Sequence, residues 1–240
     1  MILIVLASGR GSRLKNKTKD QPKCMIKIGK NMIIDHLAEN FKKFNKVIIV
    51  TGYKSEKIKK YLEDVKNIIF VKNSNYLTTN MVESLFKTKK LVNEDAVVSY
   101  SDIIFDKHII EKLIKEKETC LPLYTKWLRI WKLRMKSLKK IKSDAENITI
   151  KDNKIYSIGG KINSKIPDFQ FMGLIKIIKK DFNNMFKLYK KINNKKIDMT
   201  TFLNIYIKNQ NNLFYFKTSK YWFEIDNIRD LQVAKAHLKN

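Results

Sequence analysis

Two hydrophobic rhythms alternate along the chain. Short apolar runs, most of them rich in Ile and Val, occupy residues 2–6, 46–50, 68–71, 96–100 and 120–124. Their length and β-branched content predict strands. Between them, apolar positions recur three and four residues apart over 33–44, 56–64, 81–91 and 107–115. That spacing places one apolar stripe on a helix. Strands alternating with helices predict an α/β fold, a Rossmann-like and mostly parallel sheet with helices on both faces. The rhythm then changes. Residues 147–150 and 154–158 predict a hairpin about Asp152-Asn153, since two turn-forming residues between such runs close a tight loop. A long strand is expected at 169–178, helices at 180–191 and 198–208, strands at 213–217 and 221–225, and a last helix at 227–238. No Pro/Gly/Ser-rich linker divides the series, so residues 1–240 read as one domain with a smaller β-rich inserted part in its second half.

The 240 residues are 44% hydrophobic, sufficient for one large core. No apolar run approaches a membrane span. Residues 2–6 lack the basic flank and the length of a signal peptide. No membrane partner and a cytoplasmic location are therefore expected. Cys24 and Cys120 show no C-x-x-C spacing and read as small core residues in a reducing compartment. The formal net charge of +27 raises a competing class, the basic nucleic-acid-binding module. Against it, only five of the 50 basic residues are arginine, and the lysines are scattered along the whole chain. Nucleic-acid surfaces favour the bidentate guanidinium. The lysines fit an AT-rich coding bias carried on solvated faces, and no nucleic-acid partner is expected.

The first strand runs into Ser8-Gly9-Arg10-Gly11-Ser12-Arg13-Leu14, and Gln21-Pro22-Lys23 follows. Glycines without Cβ let backbone N–H groups approach a ligand, and a strand followed by a glycine-rich basic loop is how α/β proteins hold phosphates. The loop is neither a P-loop, lacking Gly-Lys-Ser/Thr, nor a dinucleotide fingerprint, since Leu14 stands where the third glycine would be. Alone, the pattern equally describes a tight turn. Arg13 and Lys23 tip the balance, because Pro22 fixes the chain ahead of Lys23 and lets its ammonium be aimed at the same anion. Asp102 ends the strand at 96–100, where open α/β sheets bind ligands. Asp226 ends the strand at 221–225, although a helix N-cap would also explain it. Two strand-end carboxylates beside a phosphate loop suit Mg²⁺, which prefers one or two carboxylates plus phosphate oxygens.

These residues resemble the nucleotidyltransferases that activate sugar phosphates and small alcohol phosphates, and within them the phosphocholine and phosphonate cytidylyltransferases. The loop with Pro22-Lys23, the stretch Asn75 to Leu85, Ser101 to Asp106, Trp127 to Arg134 with Asp144-Ala145-Glu146, and Trp222 to Asp226 with Asp230-Leu231 carry the likeness. Ser8 and Ser101 depart from the small residues common at those positions. The resemblance implies CTP as donor and a small phosphorylated acceptor attacking the α-phosphorus, with pyrophosphate leaving. Residues 1–118 would mainly bind nucleotide and 119–225 mainly acceptor, with 226–240 as a C-terminal helix. Leu6, Ala7, Ser8, Gly9, Arg10, Gly11 and Ser12 would cradle the nucleotide, with Asn80 and Ser84 on its base or ribose. Arg13 and Lys23 would be catalytic, and Asp102 and Asp226 would hold Mg²⁺. Trp127, Trp131, Arg134, Asp144, Glu146 and Glu224 would bind the acceptor. Phosphocholine, 2-aminoethylphosphonate and phosphoglutamine are the candidate acceptors, for capsule or lipopolysaccharide decoration, and a homodimer is compatible. A sugar-1-phosphate enzyme using UTP, GTP or dTTP is the second enzymatic reading. The i, i+4, i+7 spacing of Trp127, Trp131 and Arg134 is equally that of a core-facing stripe.

Overall fold

Residues 1–135, 137–162 and 165–238 are described by the computed structural model. In chain order the elements are β1 (Ile2–Ala7), β2 (Lys27–Ile28), β3 (Asn31–Met32), α1 (Ile33–Ala38), β4 (Lys46–Thr51), α2 (Ser55–Tyr61), β5 (Ile68–Lys72), α3 (Met81–Phe86), β6 (Ala96–Tyr100), β7 (Ile103–Phe105), α4 (Lys107–Lys115) and β8 (Cys120–Tyr124). Then come α5 (Trp127–Arg134), α6 (Leu138–Asp144), β9 (Ile148–Lys151), β10 (Lys154–Ile158), β11 (Gln170–Phe171), β12 (Leu174–Ile177), α7 (Lys179–Ile192), α8 (Met199–Lys208), β13 (Phe214–Thr218), β14 (Trp222–Glu224) and α9 (Ile228–Leu238).

All six residues of β1 are buried, as a strand covered on both faces requires. It pairs in parallel with β4 on one side and β6 on the other, and β4 pairs with β5. Beyond β6 lies an antiparallel position filled by β12 and β11, then β8, then β13 running parallel to β8. The sheet is therefore mixed and mostly parallel, the α/β architecture expected. Alternate residues of its strands feed two cores. Leu3, Val5, Val47 and Ile49 pack with α1, α4, α5 and α9, whereas Ile2, Ile4, Ile48 and Val50 pack with α3, α7 and α8. The chain leaves β1 toward β4 and later returns to β1's other side as β6. That reversal opens a crevice at the carboxyl ends of β1 and β6, the usual ligand position in such sheets. Among the described residues no helix is long and apolar enough to cross a membrane.

Several expected elements differ, each for a local reason. The helix at 33–44 stops at Ala38, and a 3₁₀ turn at Phe41–Lys43 follows. The helix at 81–91 stops at Phe86, where the Thr88 hydroxyl donates to the Leu85 carbonyl and competes with helical bonding. The strand at 169–178 is split after Phe171. Gly173 adopts φ +71° there, and a Cβ on it would lie 2.7 Å from the Tyr100 ring. The hairpin of β9 and β10 forms as expected, with Asp152 and Asn153 both at positive φ. Strand β7 and helix α6 went unforeseen. The first pairs antiparallel with β14, outside the main sheet.

Candidate active site

The loop after β1 packs closely against Lys23. Gly11 adopts φ +69°, and a Cβ on it would lie 2.9 Å from the Cβ of Lys23. This glycine therefore serves the approach of Lys23 as well as any ligand, while Gly9 faces open space. The Lys23 ammonium lies 2.5 Å from Asp102 Oδ2 and 2.7 Å from Asp226 Oδ1. Burial alone would lower the Lys23 pKa, but the two carboxylates outweigh it and raise the value. Burial works equally against ionised Asp226, and Lys23 with Arg13 brings its pKa below the ordinary value. Arg13 reaches the same oxygen, with Nη2 2.8 Å from Asp226 Oδ1.

Asp102 and Asp226 meet because of β7 and β14. Their antiparallel register sets Glu224 opposite Ile103, and the Ile225 N–H donates to the Asp102 carbonyl at 2.9 Å. Asp102 Oδ1 is buried without a hydrogen-bond partner. A cation already sits between these carboxylates as the Lys23 ammonium, and the buried Asp102 Oδ1 is left unused. The donor set thus fits a hard divalent cation with oxygen ligands.

A narrow cavity of about 160 Å³ lies at the ends of β1 and β6, lined by Leu6, Ser8, Gly9, Lys23, Asn80, Ser84 and Asp102 among the anticipated residues. Asn80 caps α3 through Oδ1, which accepts from the Met81 N–H at 2.8 Å. The Ser84 hydroxyl donates to Ser8 Oγ and accepts from Asn73 Nδ2. Ala7 is buried at the end of β1, Ser12 opens a 3₁₀ turn, and Arg10 stands over the Tyr53 ring at 5.5 Å. Asn73, Tyr76 and Thr79 also line it. Of these, Tyr76 and Thr79 lie in the stretch 75–85 that carried the resemblance. Asn73 left no sequence signal, because a buried Asn in a loop looks like any turn residue.

A second cavity of about 280 Å³ adjoins it, lined by Arg13, Tyr100, Trp131, Asp144, Glu146, Gln170, Phe171, Asp198, Thr200, Trp222, Glu224 and Asp226 among others. In a chain with only 23 acidic residues, five carboxylates converge here. Burial, together with Asp226 and Asp102, pushes the Glu224 carboxyl up to about 8. Burial also raises Asp144 and Glu146. Glu146 is fixed at both ends of its backbone by Gln170, whose Oε1 accepts from the Glu146 N–H at 3.0 Å and whose Nε2 donates to its carbonyl at 2.7 Å. Its carboxylate accepts from the Thr200 hydroxyl at 2.7 Å. Trp131 stacks on Trp222 at 5.7 Å and donates from Nε1 to Asp144 Oδ2 at 2.9 Å. An acidic, aromatic-walled cavity of this kind can hold a cationic group beside the first cavity.

The structure divides the expected acceptor residues. Trp131, Asp144, Glu146 and Glu224 line the cavity, but Trp127 and Arg134 do not. Trp127 is 2% exposed and donates from Nε1 to the Pro167 carbonyl at 3.0 Å. Arg134 is buried in a bidentate pair with Asp230, so its guanidinium is not presented to an acceptor phosphate. Gln170, Asp198, Thr200 and Trp222 also line the cavity and carry no binding signal in the sequence. Asp198 caps α8 by accepting from the Thr201 N–H, and an acidic residue at a helix start carries no signal of a binding role.

Residues 3–128 match the model of the MobA-like NTP transferase domain. This chain belongs to that family. It is a nucleotidyltransferase, and the match covers the loop, Lys23 and Asp102. Over 97% of this chain and 98% of the relative, it is 32% identical to the CTP:phosphoglutamine cytidylyltransferase of Campylobacter jejuni. That similarity extends through the second cavity. Two solved structures share the nucleotidyltransferase fold at 19% identity each. The inositol-1-phosphate CTP transferase of T. maritima superposes with TM-score 0.76 over 97% of this chain and 94% of that one. The CTP:phosphocholine cytidylyltransferase of Streptococcus pneumoniae does so with TM-score 0.74 over 99% of each.

Proposed function

We propose that this nucleotidyltransferase moves a cytidylyl group from CTP to phosphoglutamine. The observation that carries the reading is the 32% identity to a CTP:phosphoglutamine cytidylyltransferase across both cavities. The second cavity supports it. Glu146, Asp198 and Asp144 suit a primary ammonium, which donates three hydrogen bonds to carboxylates. A neutral sugar would leave those buried carboxylates uncompensated.

An acceptor phosphate oxygen attacks the α-phosphorus of CTP in line. One P–O bond forms, the bond to the bridging β-phosphate oxygen breaks, and pyrophosphate leaves. Positioning and charge neutralisation carry such chemistry, with no protein nucleophile required. The backbone N–H groups of Gly9 to Arg13 face the triphosphate, and Arg13 neutralises the leaving pyrophosphate. Lys23, already inside the crevice, neutralises charge building on the α-phosphate. Asp102 and Asp226 would hold Mg²⁺, which when bound supplies positive charge to the triphosphate oxygens. The CDP-linked product would be formed in the cytoplasm and used for cell-surface decoration. Phosphocholine is the second acceptor reading, favoured by the four rings of the cavity wall, Tyr100, Trp131, Phe171 and Trp222.

Pyrophosphate release over CTP, UTP, GTP and dTTP, crossed with phosphoglutamine, phosphocholine, 2-aminoethylphosphonate and glucose 1-phosphate, tests the reading. CTP with phosphoglutamine should give the highest kcat/KM. Turnover confined to glucose 1-phosphate or to another nucleotide would overturn it.

A further inference from the structure

Arg134 sits too deep to grip a substrate, yet it is a charged side chain held inside the protein. Its Nε lies 2.7 Å from Asp230 Oδ1 and its Nη2 3.1 Å from Oδ2, with both side chains at most 3% exposed. Enclosing an ion pair so completely carries a desolvation cost that the pair's own attraction often fails to recover. An apolar pair could fill the same space. The question is what Asp230 does with that support.

Asp230 Oδ2 accepts two further hydrogen bonds, from the N–H of Asp226 at 2.9 Å and of Asn227 at 3.1 Å. In return the Asp230 N–H donates to Asn227 Oδ1 at 3.2 Å. Part of this is ordinary capping of α9. An ordinary cap, however, needs no arginine from another helix and sits in solvent. Here the held N–H belongs to Asp226, whose own carboxylate contacts Lys23 and Arg13. On the other side, the Arg134 guanidinium carbon lies 4.5 Å from the centre of the Trp131 ring. Trp131 in turn donates to Asp144 in the acceptor cavity. A continuous run of contacts thus links the acceptor wall to the backbone of Asp226 through Arg134 and Asp230.

We propose that Arg134 and Asp230 are positioning residues that hold the backbone of Asp226 so that its carboxylate meets the metal-nucleotide complex. This rests on the reading of Asp226 as a metal-holding carboxylate. It gives Arg134 a part in the rate of transfer and none in gripping the acceptor. A small rotation of the 226–227 backbone would carry the carboxylate away from Asp102, so the pair acts on the reaction through geometry.

The test is a Mn²⁺ titration, read from the electron paramagnetic resonance of free Mn²⁺. The protein is loaded with an unreactive CTP analogue whose α,β-bridge is methylene. Wild type is compared with Asp226→Asn, Asp230→Asn and Arg134→Lys, and kcat and the acceptor KM are measured with Mg²⁺. Asp230→Asn and Arg134→Lys should each weaken Mn²⁺ by about ten- to a hundredfold, the usual effect of losing a partner that orients a metal ligand. The acceptor KM should stay within about twofold while kcat falls. Arg134→Lys retains the charge and keeps the test open if Asp230→Asn does not fold. Unchanged Mn²⁺ affinity and kcat with a lowered melting temperature would reduce the pair to a structural cap and overturn the proposal. A raised acceptor KM at unchanged Mn²⁺ affinity would overturn it by making Arg134 an acceptor ligand. If Asp226→Asn itself leaves Mn²⁺ affinity intact, the underlying metal reading fails, an outcome distinct from both.

Discussion

The cavity at the ends of β1 and β6 and the cavity beside it are built in opposite ways. The first takes most of its lining from short continuous segments, 6–9, 79–84 and 100–102, that follow strands of one parallel layer. The second draws on Arg13, Tyr100, Trp131, Asp144, Glu146, Gln170, Asp198, Trp222 and Glu224, side chains from at least six separate stretches. Phosphates and a nucleotide are bound by backbone and a few fixed charges, which a loop at a strand end supplies locally. An acceptor is distinguished by shape and charge from all sides, and only distant segments meeting in space provide that. The first cavity can therefore be shared by a whole family, while the second can change with the substrate.

The sharpest test of the comparison is the boundary where the cavities meet. Asp102→Asn and Asp226→Asn should each cut turnover at saturating CTP by roughly a hundredfold or more, since each removes charge from the proposed metal-nucleotide site. Near wild-type turnover by either variant at limiting Mg²⁺ would take that residue out of the site. Next comes the split within α5. Trp127→Ala should lower stability by about 3–5 kcal/mol, as truncation of a buried aromatic does, and leave both KM values unchanged in the folded fraction. A selective acceptor defect in that variant would return Trp127 to the cavity.

Within the proposed acceptor cavity, Glu146→Gln and Asp198→Asn should each raise the acceptor KM by about ten- to a hundredfold, the loss of one charge-assisted hydrogen bond of roughly 1.5–3 kcal/mol. The KM for CTP should hardly move. Equal changes in both constants would mean that the two cavities are not separate in function. The smallest effect is that of pH. Burial raises Asp144 and Glu146, so they take up protons at a higher pH than exposed carboxylates. A protonated carboxyl cannot pair with an ammonium. The acceptor KM should accordingly rise several-fold as pH falls from neutral toward about 5, just above ordinary carboxylate values, while the KM for CTP stays nearly flat. An acceptor KM that falls on acidification would argue against a cationic acceptor.

How far the chain could be read from its residues follows the same division. The strands at 96–100 and 120–124, the helix Lys107–Lys115 and the hairpin about Asp152-Asn153 all lay where the local residue pattern put them. Helix α5 resisted a functional reading. Trp127, Trp131 and Arg134 share one spacing and are all buried, yet one lines a cavity, one fills the core and one holds Asp230. Spacing reports which face of a helix turns inward and says nothing of what that face meets.

By itself, then, the sequence determined the alternation of strand and helix, the loop from Ser8 to Leu14 with Lys23 behind it, and two strand-end aspartates. These are properties of a few neighbouring residues, governed by backbone geometry and local polarity. The tertiary structure alone decided that Asp226 would stand beside Asp102, through a pairing of β7 with β14 more than a hundred residues away in sequence. It also decided that Asp198 and Gln170 would meet Glu146 in one cavity, and that Arg134 would turn inward to Asp230. Such meetings are chosen by packing of the whole core and by charges that must be compensated once buried. No window along the chain contains both partners, and only folding brings them within hydrogen-bond reach.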